Sequence, residues 1–283
     1  MLTAVKTNTS IVIPARPEVL VNLTGALQQT DPDFLYIAYL IKQDVALYTS
    51  VLSNVNSAYY GLSSEVTSIE RAISLLGLDR IFKIVQLAAL KNSLPCTGPL
   101  ERFWDTATEV AHISAILAQH FGKVDPDDAY TLGMLHDTGI PILLRANPHY
   151  KNFLKKSGQL SIQQVKTWEI STFGVDHYQL ASELAKKWNI SATTVEALKR
   201  QPNYQETFQE PSDNHEQMRL SLCILLLARD ISDAYRYFWR IPNAKDSFLN
   251  IQPILMFLGI SEYEYADLKE DITQALFGYI NSN

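Results

Sequence analysis

The sequence reads as an all-α protein. Apolar residues recur at helical spacing from residue 34 to the tail, cap and stop signals punctuate them, and no apolar/polar alternation runs longer than Ser10–Ile13. Asp31-Pro32-Asp33 offers an N-cap, a proline for the first helical position and an acid for the first turn, ahead of Phe34, Leu35, Ile37, Ala38, Leu40 and Ile41. That helix should end near Gln43, with Asp44 capping the next and Asn56–Gly61 forming a turn after it. Thr67 and Glu70 have capping-box spacing, Gly77 is a natural stop, and Asp79 can cap a helix from Arg80 to about Asn92.

Two prolines and a glycine in Pro95-Cys96-Thr97-Gly98-Pro99 cannot continue a helix, so 95–99 is read as a linker after a first helical subdomain, 1–94. A second subdomain, 100–214, opens with a long helix over about 100–121 stopped by Gly122. Asp125-Pro126-Asp127 then repeats the cap, proline and acid device for a helix reaching about Leu135. Further helices are expected at about 139–146, 149–157, 161–172, 176–188 and 192–200, followed by a polar loop over 201–214. The C-terminal region, 215–283, carries three more at about 216–238, 247–257 and 262–281, the last with a Ser261/Glu264 capping box, packing on the second subdomain.

Composition bounds the function. With 283 residues, 47% of them hydrophobic, the chain can bury a core without staples. Cys96 and Cys223 lie far apart with no metal-ligand or disulfide spacing, which fits a reducing cytoplasm. The longest apolar stretch, around Leu220–Ile231, contains Ser221, Arg229 and Asp230 and is too short to span a bilayer. The first residues lack the apolar core of an export signal. A net charge of −6 argues against broad nucleic-acid binding.

The one chemically suggestive motif is the adjacent His136-Asp137 pair in Gly133-Met134-Leu135-His136-Asp137-Thr138-Gly139. An imidazole and a carboxylate at a helix end can share a divalent ion, or simply hold each other. From here the chain resembles the HD superfamily and, more closely, its HDOD branch, over roughly residues 13 to 201. The resemblance rests on Ile13-Pro14-Ala15-Arg16-Pro17, Asp31-Pro32-Asp33, Ile41-Lys42-Gln43-Asp44, Asn56-Ser57-Ala58-Tyr59-Tyr60-Gly61 and Ser68–Gly77. It continues through Phe103-Trp104, Leu135–Gly139, Gly174-Val175-Asp176-His177 and Leu184–Trp188. It implies an HD-like helical half preceded by a smaller helical bundle, as in bacterial signalling proteins.

Working HD phosphohydrolases hold divalent metal with more than the dyad. The resemblance places an upstream histidine two residues after Trp104, where this chain has Thr106, and paired histidines near Arg200-Gln201. A hydroxyl is a poor donor, and an arginine would repel a cation. His112, six residues along the same helix from Thr106, lies about 120° around the axis from it. A degenerate metal-site remnant of His136, Asp137, His177 and Asp230 is left, with Asp233 a second choice for the last. No bound metal and no cofactor are expected.

Each remaining signal has a plainer role. His177 can sit in a first helical turn capped by Asp176, His120 can face a helix C-terminus, and His149 and His215 fall near helix starts in polar surroundings. Tyr235-Arg236-Tyr237-Phe238-Trp239-Arg240 could stack on a base or a partner, or pack in the core. The resulting expectation is a non-catalytic cytoplasmic regulatory protein. It would bind a protein partner or a small, nucleotide-like ligand in a groove between the helical halves, with Asn56, Ser57 and Tyr60 as a contact surface, no membrane partner and no nucleic acid. The alternative is a phosphohydrolase dependent on manganese, iron or nickel and acting on a nucleotide or cyclic dinucleotide.

Overall fold

The computed structural model describes residues 11–94, 102–158, 160–209, 215–239 and 249–280, so the linker expected at 95–99 and Arg240 lie outside the described residues. Among the described residues there are helices and no strands. The chain divides into two compact units, one from Pro14 to Pro95 and one formed by the rest.

The first unit contains α1 (Glu18–Leu27), α2 (Phe34–Lys42), α3 (Val45–Val55), α4 (Ile69–Leu76) and α5 (Leu78–Ser93). Leu20 and Leu23 of α1, Ile37 and Ile41 of α2, Val51 and Val55 of α3, and Val85 of α5 are fully buried and form its core. Caps differ from the sequence expectation by one or two residues. Asp33, not Asp31, accepts from the Leu35 and Tyr36 N–H groups, which puts Pro32 before the helix. Ser68, not Thr67, caps α4 by accepting from the Arg71 N–H, and Glu70 instead pairs with Lys42. Gly77, at φ 79°, both ends α4 and starts α5, so Asp79 lies within the first turn. Asp44 does cap α3. Helix α1, for which no expectation existed, begins after Pro17 without a capping side chain.

The second unit contains α6 (Phe103–Phe121), α7 (Pro126–Leu135), α8 (Gly139–Ala146), α9 (Tyr150–Ser157), α10 (Ile162–Phe173), α11 (His177–Lys187) and α12 (Ala192–Arg200). It continues with α13 (Tyr204–Gln209), α14 (Glu216–Ile231), α15 (Asp233–Trp239), α16 (Gln252–Leu258) and α17 (Glu262–Ile280). Helix α6 packs against α7, α14 and α15, and α11 packs against α8 and α12. A Cβ at Gly133 of α7 would stand 2.5 Å from the Ala111 Cα of α6, so a glycine is what lets these backbones touch. Asp125 caps α7 with Pro126 in its first turn, and Gly122 closes α6 at φ 64°. The segment before the first unit belongs here too: Val12 O accepts from Arg145 and Ile13 O from Lys187.

Two expectations are corrected. Residues 201–209 form a short 3-10 turn, Gln201–Asn203, and then α13 rather than loop, because Pro202 falls in a first turn, where its missing N–H costs nothing. The single helix expected over 216–238 is broken at Ser232. Its hydroxyl accepts from the Tyr235 N–H and donates to Glu109 of α6, so a tertiary contact restarts the helix.

Candidate functional site

Helix α7 ends at Leu135 and α8 begins at Gly139, leaving His136, Asp137 and Thr138 as a buried three-residue turn. Gly139 is required there, since a Cβ would stand 2.0 Å from the His177 carbonyl oxygen. That contact seats the turn on the start of α11. His136 Nδ1 donates to Gly133 O at 2.6 Å, which turns Nε2 toward Asp137 Oδ2 at 3.4 Å. His177 Nε2 lies 3.5 Å from Asp137 Oδ1. The structure thus brings together three of the four residues singled out from the sequence.

Asp230 does not join them. Its carboxylate accepts from Arg236 (3.2 Å), Tyr265 (2.7 Å) and Lys269 (2.9 Å), tying α14 to α15 and α17. Asp233 is exposed. Thr106 spends its hydroxyl on Arg102 O within α6, and His112 packs against the Tyr130 ring. Arg200 lies at the partly exposed end of α12, where it pairs with Glu196 at 2.6 Å. The Tyr235–Trp239 segment packs inward: Tyr235, Arg236 and Trp239 are buried.

The partners of the three converged residues were not among the candidate site residues. Glu169 of α10, fully buried, takes the His177 backbone N–H (2.9 Å) and its Nδ1 (2.7 Å), and accepts from the Tyr150 hydroxyl. Trp239 Nε1 donates to Asp137 Oδ2 at 2.9 Å. Gln201 donates to His136 O at 3.0 Å and accepts from Arg229 Nη1 at 2.8 Å. Arg229, 1% exposed, also bonds the Tyr235 hydroxyl and lies over its ring, 4.7 Å from the centroid. Arg229 shares its helix with Asp230; neighbouring helical residues point about 100° apart, and the arginine faces the dyad.

The electrostatics follow from these partners. Burial alone would depress the His177 pKa, but the Glu169 charge, the bond to Glu169 and the nearby Asp137 carboxylate outweigh it and raise it to about 10, so the ring is an imidazolium at neutral pH. Burial opposes ionisation of Asp137 too. The His136 and His177 imidazoles and the Arg229 charge overcome it and hold the carboxyl well below its ordinary value. Burial pushes the Tyr150, Tyr178 and Tyr235 hydroxyls up, so they remain neutral.

Three buried atoms in this group have no hydrogen bond: His136 Nε2, Asp137 Oδ1 and His177 Nε2. They are the donor types a divalent ion takes, yet the set does not fit one as it stands. Among the described residues, no three His, Cys, Asp or Glu side chains stand where they could hold a metal ion. Asp137 already receives the indole N–H, and Arg229 already supplies positive charge. The cavity touching Tyr178, Arg229, Tyr235 and Trp239 measures about 30 Å³, room for about one water.

The HDOD domain family model matches residues 13–204. The chain belongs to the HDOD family. Among solved structures, this HDOD chain is similar to an HDOD domain protein of unknown function from Geobacter sulfurreducens, at 20% identity and TM-score 0.67, covering 96% of this chain and 92% of that one. A "putative phosphohydrolase" from Shewanella amazonensis SB2B matches at 23% identity and TM-score 0.67, over 92% and 90% of the two chains. A "putative signal transduction protein" from Marinobacter aquaeolei VT8 matches at 19% identity and TM-score 0.68, over 98% of this chain and 62% of that one. These likenesses establish the all-α HD-like fold. An uncharacterized protein of Treponema pallidum (strain Nichols) is 23% identical over 244 residues, 85% of this chain, which spans 46% of the relative's length.

In the first unit the HDOD turn at Asn56–Gly61 is internally committed. The Asn56 amide donates to Leu52 O and Val66 O and accepts from the Val66 N–H, pinning the following loop to α3. Ser57 and Tyr60 are half-buried, and Tyr60 packs edge-on against Tyr59. No described helix is long and apolar enough to cross a membrane.

Proposed function

We propose that this HDOD protein is a non-catalytic regulatory protein of the cytoplasm that acts by associating with a protein partner. The observation that carries the reading is the state of Asp137, whose carboxylate is engaged by the Trp239 indole, faced by two imidazoles and balanced by Arg229. A hydrolytic centre needs an open position for metal-bound water and substrate. The cavity beside this group, which touches Arg229 and Trp239, measures about 30 Å³, against the hundreds of Å³ of a nucleotide site.

The first unit supports association. Phe34, Leu35, Tyr36 and Tyr39 of α2 and Leu75 of α4 are all about half exposed or more, and Phe34 and Leu35 line a hollow of about 560 Å³ with Ile73, Gly77 and Leu78. Clustered apolar exposure of this kind marks interaction surfaces. Of the surface expected from the sequence, Ser57 and Tyr60 remain candidates for contact, whereas the Asn56 amide is spent on the fold. The description of the Marinobacter protein as a signal transduction protein points the same way.

The second reading, a divalent-metal phosphohydrolase, is favoured by the three unpaired donor atoms and by the description of the Shewanella protein. Hydrolysis of bis-p-nitrophenyl phosphate and of a cyclic dinucleotide with added manganese, iron or nickel separates the two. The regulatory reading expects no turnover above the His136→Ala background; metal-dependent turnover that His136→Ala abolishes would overturn it.

A further inference from the structure

The segment after α6, the start of α14 and the end of α16 border a hollow of about 280 Å³ in the second unit, lined by Lys123, Glu216, Arg219, Leu220, Phe257 and Leu258. Arg219 precedes Arg229 on α14 by ten positions, about 15 Å along the axis at a rise of about 1.5 Å per residue. The hollow is therefore separate from the small cavity that Arg229 lines.

Its walls combine fixed charge with apolar surface. Gly122 ends α6, and Gln217 of α14 donates to Lys123 O at 3.1 Å, which fixes the backbone that carries the lysine. Arg219 is only 8% exposed, and its guanidinium carbon lies 5.5 Å from the centre of the Phe257 ring. Phe257 in turn stacks on Phe208 of α13, the ring centres 5.4 Å apart, so the ring under the guanidinium is itself held. Leu220 and Leu258 complete the apolar side. A guanidinium carries five N–H donors in a planar fork that matches the two oxygens of a carboxylate. Lys123 adds a second positive charge and Glu216, exposed in the first turn of α14, a negative one. The lining thus carries one net positive charge, the complement of a monoanion rather than of a phosphate dianion. A volume just below the about 300 Å³ at which drug-sized ligand sites begin suits a molecule of one ring.

We propose that this hollow binds a small monocarboxylate with an aromatic or branched apolar body. The carboxylate takes the Arg219 fork and the Lys123 ammonium, the body lies against Leu220, Phe257 and Leu258, and Glu216 selects against a second negative charge. The assignment stands whether or not the chain acts through a protein partner.

The test is an NMR titration of the whole chain at neutral pH with phenylacetate, phenyl phosphate and benzyl alcohol, followed at the Lys123 and Leu258 amides. Phenylacetate should saturate with a Kd on the order of 1 mM or tighter, phenyl phosphate about threefold weaker and benzyl alcohol about tenfold weaker. Arg219→Gln should weaken phenylacetate about tenfold, and Lys123→Gln, whose charge is exposed, about two- to fivefold. Glu216→Gln should strengthen both anions, the phosphate more. The proposal is overturned if no saturation occurs by about 20 mM, or if the alcohol or the phosphate binds as tightly as phenylacetate. Phenylacetate affinity unchanged by Arg219→Gln in a folded variant overturns it as well. Where circular dichroism shows that Arg219→Gln does not fold, the exposed positions decide: opposite effects of Lys123→Gln and Glu216→Gln on phenylacetate support the site, and any other pair of effects overturns it.

Discussion

Trp239 and Asp137, separated by 102 positions, meet through an indole N–H on a carboxylate oxygen at 2.9 Å. The contact ties the last turn of α15 to the bend between α7 and α8. Trp239→Phe keeps the ring and removes the donor. It should destabilise the protein by about 1.5–3 kcal/mol, the usual worth of a bond to a charged group. The acid side of the stability curve should change as well. Asp137 titrates below its ordinary range in the fold, so its contribution is present above that range and lost as pH falls. With the donor gone, that loss should begin at higher pH, as urea denaturation from pH 3 to 7 would reveal.

Glu169 and His177 set the alkaline side. A histidine held at about 10 in the fold contributes stability that is complete below its ordinary pKa near 6.5 and lost as pH rises through 10. The buried tyrosines, raised above 10, extend the decline beyond that point. Glu169→Gln should lower stability at neutral pH by about 3–5 kcal/mol, as breaking a buried pair does, and flatten the slope between pH 6.5 and 10. An unchanged slope would show that Glu169 does not hold the proton on His177.

Gly139→Ala drives a methyl into the His177 carbonyl, which the backbone of α11 can relieve only by moving. Overpacking of this kind costs about 1–3 kcal/mol or more. The thermal midpoint should fall, and the His177 ring resonance should shift in NMR spectra, because the substitution displaces the helix that carries it.

Asn56→Ala removes two bonds to the backbone of Val66 and one to Leu52 O within α3. The expected cost is about 1–3 kcal/mol, accompanied by faster amide exchange at Val66. A variant of normal stability that nonetheless loses partner binding would instead assign Asn56 to recognition.

The helices were legible because their apolar faces repeat at helical spacing and their ends carry caps. Exact caps were less so: Asp31 and Asp33, or Thr67 and Ser68, obey the same local chemistry, and only the fold selects between them. The break at Ser232 was hidden because Glu109, far away in sequence, completes it. At the site, His136, Asp137 and His177 stood out as motif residues. Glu169, Gln201, Arg229 and Trp239 come singly from four other parts of the chain, and a buried charge is recognisable only beside its counter-charge. The Asp230 assignment shows the converse, since a residue can occupy the right helix and still face another neighbour.

The Glu169, His177, Asp137 and Arg229 charges alternate in sign and cancel within the interior. A cluster that is neutral as a whole projects little field to the surface and lies beyond the reach of mobile ions. Raising ionic strength should therefore weaken the exposed Lys42–Glu70 pair while leaving the buried His136–Asp137–His177 group untouched. The group is an electrically silent keystone, able to hold helices in place without advertising itself to charged molecules outside.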